Sequence, residues 1–208
     1  MSPIAVVTGG SSGIGAAVVA ELRGRGWTVI SLSRREGCDI SDEAQVEKAF
    51  ARLDRVDALI NNAALLIKRP FAELSAEEWD LQVGAGLRGA FLCSRAAFRR
   101  MGQAGGSIVM ISSLSGVQGA EKFPGMAAYV AAKSGLAGLT EALAAEGRPS
   151  GIRVNAVSPG AVDTDMLKVA GVEGPVLQPV EVARLIVWLA SSESAPLSGA
   201  NLRIDPPG

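Results

Sequence analysis

Short apolar runs alternate with longer amphipathic stretches along almost the whole chain. Ile4-Ala5-Val6-Val7 is continuously apolar and short, which predicts a strand buried on both faces. Ala16-Ala17-Val18-Val19-Ala20-Glu21-Leu22 follows, with good helix formers and an apolar stripe. The unit repeats. Gly24 and Gly26 mark the end of that helix, and residues 26–33 predict a second strand. Glu43 to Leu53 reads as a helix with Val46, Ala49, Phe50 and Leu53 on one face, capped by Ser41 or Asp42. Asp57-Ala58-Leu59-Ile60 predicts a third strand. Ser75-Ala76-Glu77-Glu78 has capping-box form and opens a long helix through Trp79 to about Arg100. Further strands fall at residues 106–113, 151–157 and 202–205. An alanine-rich helix around Tyr129 and a last helix from Pro179 to about Ser191 separate them. Strands alternating with helices predict a parallel sheet covered on both faces. The expected architecture is α/β: three layers, doubly wound, with one mainly parallel sheet of about six strands.

Composition narrows the class. A chain of 208 residues is long enough for a single domain with a sizeable core. Its mean hydropathy is +0.28, yet no apolar run reaches the roughly 20 residues of a membrane span. No basic, signal-like segment precedes the first strand, so a cytoplasmic location with no membrane partner is expected. The net charge of −1 and the lack of a basic stripe argue against nucleic acid. Cys38 and Cys93 lie far apart and form no metal-ligand spacing, so buried or incidental thiols and no metal are expected. The chain has no histidine, which excludes Ser-His-Asp and Cys-His catalysis. Proton transfer near neutral pH then falls to a perturbed Tyr, Lys, Cys or carboxylate. Tyr129 is the single tyrosine.

Several short motifs carry chemistry. Thr8-Gly9-Gly10-Ser11-Ser12-Gly13-Ile14-Gly15 joins the first strand to the first helix. Glycines there let the backbone turn tightly and approach a pyrophosphate, and the helix N-terminus offers N–H groups and partial positive charge. Ser11 and Ser12 add hydroxyl donors. Without a ligand the same stretch is a tight turn. A doubly wound fold meets the adenosine ribose at the end of its second strand, where this chain has Ser33, Arg34 and Arg35. Guanidinium groups suit a 2′-phosphate, so NADP(H) is expected to be preferred, with NAD(H) possible. The alternative is a solvated basic pair. Tyr129 and Lys133, four residues apart, share a helix face. Asn61-Asn62-Ala63-Ala64 follows the third strand, Ser112-Ser113 ends the fourth, and Ser158-Pro159-Gly160-Ala161-Val162-Asp163-Thr164 follows the fifth.

In this order the motifs make the chain resemble the short-chain dehydrogenase/reductase family over nearly its whole length. The resemblance implies a Rossmann fold, one NAD(P)-binding domain over 1–208, and hydride transfer between a nicotinamide and a carbonyl or secondary alcohol of a small molecule. It implies Ser113, Tyr129 and Lys133 as catalytic residues. Tyr129 would be the general acid in reduction and the base in oxidation. Lys133 would favour the phenolate and hold ribose hydroxyls, and Ser113 would bond the substrate oxygen. Cofactor contacts are implied for Gly9, Ser11, Ser12, Gly13 and Ile14 in the loop, and for Ser33 and Arg34 at the ribose. Asp39 and Ile40 belong at the adenine, Asn62 and Ala63 along the cleft, and Pro159, Gly160, Val162 and Thr164 near the nicotinamide. Residues 165–178, with Gly171, Gly174 and Pro175, stand where a substrate lid belongs. The lid and the loop Leu114 to Gly125 are expected to shape the substrate pocket. A homo-oligomer, dimer or tetramer, is also implied.

The chain departs from the family in four places. Ala64 replaces the last glycine of Asn-Asn-Ala-Gly, and Pro206-Pro207-Gly208 stands where Asp-Gly-Gly is typical. Gly86 takes the place of the catalytic asparagine, which in the family bends the helix and holds a water of the proton relay. Gly84, Gly86 and Gly89 are read as serving close packing or a distorted turn. Only Glu36-Gly37-Cys38 separate Arg35 from Asp39, too few for a crossover helix and a returning strand, which need about ten or more residues. The usual third strand is therefore expected to be missing, giving the order 2-1-3-4-5-6 with residues 27–32 at the edge. Two rival functions stand beside hydride transfer: a weakly active or regulatory cofactor-binding protein, and a dehydratase or epimerase on the same fold.

Overall fold

The computed structural model describes residues 2–206; the Pro207 and Gly208 positions compared above lie outside them. Along the chain the elements are β1 (Ile4–Thr8), α1 (Gly13–Gly24), β2 (Thr28–Leu32), α2 (Glu43–Ala51), β3 (Ala58–Asn61), α3 (Ala76–Val83), α4 (Gly89–Met101), β4 (Gly106–Ile111), α5 (Ala127–Gly147), β5 (Ile152–Pro159), α6 (Asp165–Ala170), α7 (Pro179–Ala190) and β6 (Asn201–Ile204). Period-2 alternation inside the apolar strands decides how the sheet is covered. Val6, Leu59, Ile108 and Met110 share one face with Val46 and Phe50 of α2, Leu92 and Met101 of α4, and Leu136 of α5. Ala5, Val7, Ile60, Val109 and Ile111 share the other with Val18 and Leu22 of α1 and Val182, Ile186 and Leu189 of α7. Full burial of each larger apolar side chain is worth about 1.5–3 kcal/mol. Exposed ion pairs such as Arg25–Glu21 are worth about 1 kcal/mol at most, so the two apolar layers hold the fold.

The sheet is parallel throughout, in the order β2-β1-β3-β4-β5-β6, as the strand count along the sequence predicts. Among the described residues β2 pairs with β1 alone and forms one edge. From Ser33 to Asp42 local bonds replace a helix and strand. Arg34–Glu36 make a single 3₁₀ turn. Gly37 follows at φ 79°, a left-handed conformation that glycine alone adopts without strain. The Cys38 N–H donates to the Ser33 carbonyl at 3.0 Å. Asp39 accepts from the Ser41 N–H and hydroxyl, and Asp42 caps α2 by accepting from the Gln45 N–H at 3.1 Å.

The long helix expected through Trp79 to about Arg100 runs without a break from Ala76 to Met101, and the distorted turn expected at its glycines is a π-helical turn at Gly84–Arg88 that divides it into α3 and α4. The glycines there make room for neighbours on two sides. A Cβ on Gly89 would lie 2.6 Å from the Ile40 side chain, and one on Gly86 would lie 3.3 Å from Ala132 of α5. Ile40, brought in by the short 33–42 connection, is thus buried against α4. Each interior glycine costs about 1 kcal/mol relative to alanine, less than the burial of one isoleucine contributes. Among the described residues no helix is long and apolar enough to cross a membrane.

Candidate active site

Loops leaving the carboxyl ends of the strands meet where the strand order reverses between β1 and β3, the position at which open α/β sheets bind ligands. The glycine loop is braced from β3. Thr8 Oγ1 accepts from the Asn62 and Ala63 N–H groups at 3.0 Å each. The Asn62 side-chain amide donates to the Thr8 and Gly9 carbonyls at 3.0 and 3.1 Å. Gly15 packs so closely that a Cβ there would meet the Gly9 carbonyl oxygen. Ser12 stands at the N-cap of α1 without a side-chain capping bond, and the first turn carries no acidic side chain. The positive end of α1 therefore faces a cleft of about 330 Å³.

Gly9, Ser11, Ser12, Gly13 and Ile14 line this cleft, with Ser33, Arg34, Asp39 and Ile40 at one end. Asn62, Ala63, Tyr129, Lys133 and Thr164 line it toward the other. A glycine cradle, an unopposed helix N-terminus and basic groups beside a serine form a donor set that fits a dinucleotide phosphate. Hydrogen bonds to Gln45 and Ser41 hold the Asp39 loop, and those from Ser41 keep the Asp39 carboxyl below its ordinary pKa. A second cleft of about 270 Å³ adjoins the first and is lined by Ser113, Pro159, Gly160 and Val162, with Ile14, Tyr129 and Thr164 shared between the two. Every candidate site residue named from the sequence thus lines one cleft or both.

Tyr129 is buried, and burial raises its pKa, with the nearby Ser113 hydroxyl acting in the opposite direction. Lys133 is buried beside it, its ammonium 5.5 Å from the tyrosine ring centre and donating to the Ile111 carbonyl at 2.5 Å. The Ser112 hydroxyl donates to the Lys133 carbonyl at 2.8 Å, tying β4 to α5. Cys38 lines the first cleft and Cys93 does not; both are free and buried. Burial pushes the Cys93 thiol up to about 12, which makes it a poor nucleophile.

A family model described as enoyl-(acyl carrier protein) reductase matches residues 36–206. The chain belongs to the short-chain dehydrogenase/reductase family. It is 33% identical to an acetoacetyl-CoA reductase of Rhizobium meliloti (strain 1021), over 235 residues covering 97% of this chain and 96% of the relative. It is equally 33% identical to a cyclopentanol dehydrogenase of Comamonas sp. (strain NCIMB 9872), over 97% of this chain and 95% of the relative. The solved structure of ElxO with NADP bound superposes with a TM-score of 0.87 at 27% identity, covering 99% of this chain and 98% of that one. Both sequence alignments run longer than this 208-residue member, so these relatives carry segments that it lacks.

Phe123 falls in the loop Leu114 to Gly125, and Met166 and Val172 in residues 165–178, the two segments expected to shape the substrate pocket; Leu66 and Met126, which complete the wall of the second cleft, lie outside them. Glu36 folds back onto β2 and bonds Ser33, although its place in the chain suggested only a connection.

Burial pushes the Lys133 ammonium down to about 8. The unfolded chain holds that proton to about pH 10.5, so between these values it binds more protons than the folded protein. Lys133 therefore adds stability as pH rises through that window and adds none below it. The unfolding free energy of the wild type minus that of Lys133→Met should grow by about 2 kcal/mol from about pH 7 to about pH 10, read by urea titration. A gap that stays flat with pH would contradict the burial effect.

Proposed function

We propose that the protein transfers hydride between NADP(H) and the carbonyl or secondary-alcohol carbon of a small molecule, with Tyr129 moving the proton. The reading rests on one observation: Tyr129 lines both clefts, with Ser113 in the second and Lys133 beside it in the first. When bound, the cofactor supplies or accepts the hydride at its nicotinamide ring. Gly9, Ser11, Ser12 and Gly13 would hold its pyrophosphate, Ser33 and Arg34 its ribose 2′-group, and Asp39 and Ile40 its adenine. Ile14, Asn62, Ala63, Pro159, Gly160, Val162 and Thr164 would line the path to the nicotinamide. Lys133 would hold ribose hydroxyls.

Ser113 donates to the substrate oxygen as negative charge grows on it. Tyr129 gives its proton to that oxygen in reduction and takes it back in oxidation. Burial keeps the phenol protonated at neutral pH, the state that reduction needs. Oxidation needs the phenolate. Lowering an ordinary tyrosine from near 10 to about 7 takes about 4 kcal/mol, toward which the Lys133 ammonium contributes positive charge.

The second cleft favours an uncharged, largely apolar carbonyl compound. Its walls are mostly apolar, with Leu, Ala, Met, Val, Pro, Phe and Ile side chains, and among the described residues its one charged lining group is Glu121 at the exposed rim. No basic lining group is there to pair with a carboxylate or phosphate. At about 270 Å³ the cleft is smaller than the roughly 300–1,000 Å³ typical of drug-sized ligands. A small cyclic ketone, the oxidised form of the alcohol named for the Comamonas relative, suits it. Residues 165–178 would act as the lid, with α6 tied by the Lys68 ammonium to the Ala170 carbonyl at 2.6 Å. NADPH oxidation should be measured with cyclic ketones, keto acids of matched size and sugars. The cyclic ketones should show a kcat/KM about tenfold or more above the others. Failure to reduce any carbonyl, by protein that binds NADPH, would overturn the reading.

Gly86 is the one observation that favours a slow or regulatory protein, because it puts no side-chain amide near Lys133. Its neighbour Ala132 would have to yield by a few tenths of an ångström to a new Cβ. Gly86→Asn should keep or raise kcat and lower Tm by less than about 4 °C. A large loss of activity with the fold intact would show that the site depends on the space Gly86 leaves.

A further inference from the structure

We propose that Lys68 is a positioning residue: it latches the lid beside the second cleft and so sets the affinity for the carbonyl substrate. This rests on the reading of that cleft and of residues 165–178 given above. The Lys68 ammonium donates to the Ala170 carbonyl at 2.6 Å, across 102 positions of sequence. Among the described residues this is the one hydrogen bond that joins residues 164–176 to any segment beyond their own flanks.

The lid needs a tether at that point. α6 has six residues, well short of the roughly 12–15 at which a helix begins to hold in water by itself. The base of the segment is pinned beside the Val162–Leu177 bridge. There the Asp163 N–H donates to the Leu177 carbonyl at 2.9 Å, and the Leu177 N–H to the Ala161 carbonyl at 2.8 Å. At the far end Gly171 turns the chain at φ 60°, just past helix carbonyls that have no donor within α6. A lysine ammonium suits one of these, as a donor and as positive charge at the C-terminal end of a helix. The Lys68 stem is held in turn. The Arg69 N–H next to it donates to the Gly125 carbonyl at 2.9 Å, and a Cβ on Gly125 would lie 3.0 Å from Lys68 Cγ. One side chain thus clamps the loop after β3, the loop 114–125 and the lid. These three supply Leu66, Phe123 and Ala170 to the wall of the second cleft, which Lys68 itself does not line. Leu66 and Ala170 pack with Tyr129 in one apolar cluster, so the latch holds the surroundings of the proton donor from outside. With the latch closed, the wall is assembled before substrate arrives and binding does not have to order it. With the latch lost, every binding event must also close the lid. That cost falls equally on bound substrate and transition state, so it raises KM and spares kcat.

Lys68→Met keeps an apolar stem and removes the ammonium, whereas Lys68→Arg keeps a cationic donor. Lys68→Met should raise KM for a cyclic ketone about fivefold, the upper end for an exposed charged group. Its kcat and NADPH affinity should stay within about twofold of the wild type. Lys68→Arg should return KM to within about twofold of the wild type. Amide hydrogen exchange of the full-length, cofactor-free proteins reads the latch without turnover. Residues 165–176 should exchange about fivefold faster in Lys68→Met than in the wild type, with β1 and β3 to β5 unchanged. Unchanged exchange in the lid would overturn the latch. So would Lys68→Met and Lys68→Arg proteins that lose equally, which a merely structural role predicts. Faster lid exchange with an unchanged KM would overturn the link to substrate. A wild type that reduces no ketone would overturn the reading of the site instead, and the exchange comparison would still decide the latch.

Discussion

Tyr129→Phe should lower kcat for ketone reduction by about 10³-fold while leaving NADPH affinity within about threefold. The substitution removes one oxygen and keeps the ring. That ring packs with Leu66, Met126 and Ala170, so the wall of the substrate cleft survives. The lost hydroxyl lies near Ser113, whose own hydroxyl already accepts from the Ser115 N–H, so stability should change by no more than about 1 kcal/mol. No histidine and no second tyrosine exist in the chain to take over the proton. Lys133 is a titratable group beside it, but its ammonium is held by the Ile111 carbonyl. Steady-state rates paired with fluorescence titration of NADPH measure both halves. Turnover within tenfold of the wild type would remove Tyr129 from the mechanism.

Gly15→Ala should lower Tm by roughly 6–12 °C and weaken dinucleotide binding by about tenfold or more. The new Cβ would sit 2.2 Å from the Gly9 carbonyl oxygen and 2.5 Å from the Asn62 side-chain nitrogen. Gly9 is backbone, and Asn62 is already committed to the Thr8 and Gly9 carbonyls, so neither can give way cheaply. Overpacking of this kind costs about 3 kcal/mol, at roughly 2–4 °C per kcal/mol for a chain of this size. The strain falls on the loop that faces the cleft, so binding and stability should fall together. Gly24→Ala, at the far end of the same helix with no atom within 4 Å of a new Cβ, is the control and should leave Tm unchanged or higher. Calorimetric melting of both variants, with and without NADPH, separates the outcomes. A Gly15→Ala protein as stable and as tight-binding as Gly24→Ala would show that the loop relaxes freely.

The strand order was legible because it follows from contour length. Between Arg35 and Asp39 there is not enough chain for a helix and a parallel strand, and the sheet ends at β2 accordingly. The pairing of Tyr129 with Lys133 was legible because they lie one helical turn apart, whereas the place of Ser113 beside them was implied by the family resemblance alone. The return of Glu36 onto Ser33 was not legible, because it depends on the left-handed turn at Gly37 and on bonds that close only once β2 is in place. A distorted turn at Gly84–Arg88 was legible, but its π-helical form was not. Its glycines suit several distortions, and the packing of Ile40 and Ala132 against it appears only in three dimensions. The substrate cleft was legible only as segments. Residues 114–125 and 165–178 bring in Phe123, Met166 and Val172, as expected, while Leu66 comes from the loop after β3, and each alone is an ordinary apolar residue.

The central claim is hydride transfer at a site whose sheet lacks the usual edge strand and whose helix lacks the usual asparagine. The most direct measurement follows the hydride itself. NADPH carrying deuterium at the transferable position of its nicotinamide is incubated with the wild-type protein and a cyclic ketone reduced in the substrate screen, and the alcohol is weighed by mass spectrometry. The account predicts one deuterium on the carbinol carbon, from one face of the ring only, and no labelled alcohol with Tyr129→Phe over the same time. Unlabelled alcohol, or labelled alcohol formed equally by the Tyr129→Phe protein, would contradict it.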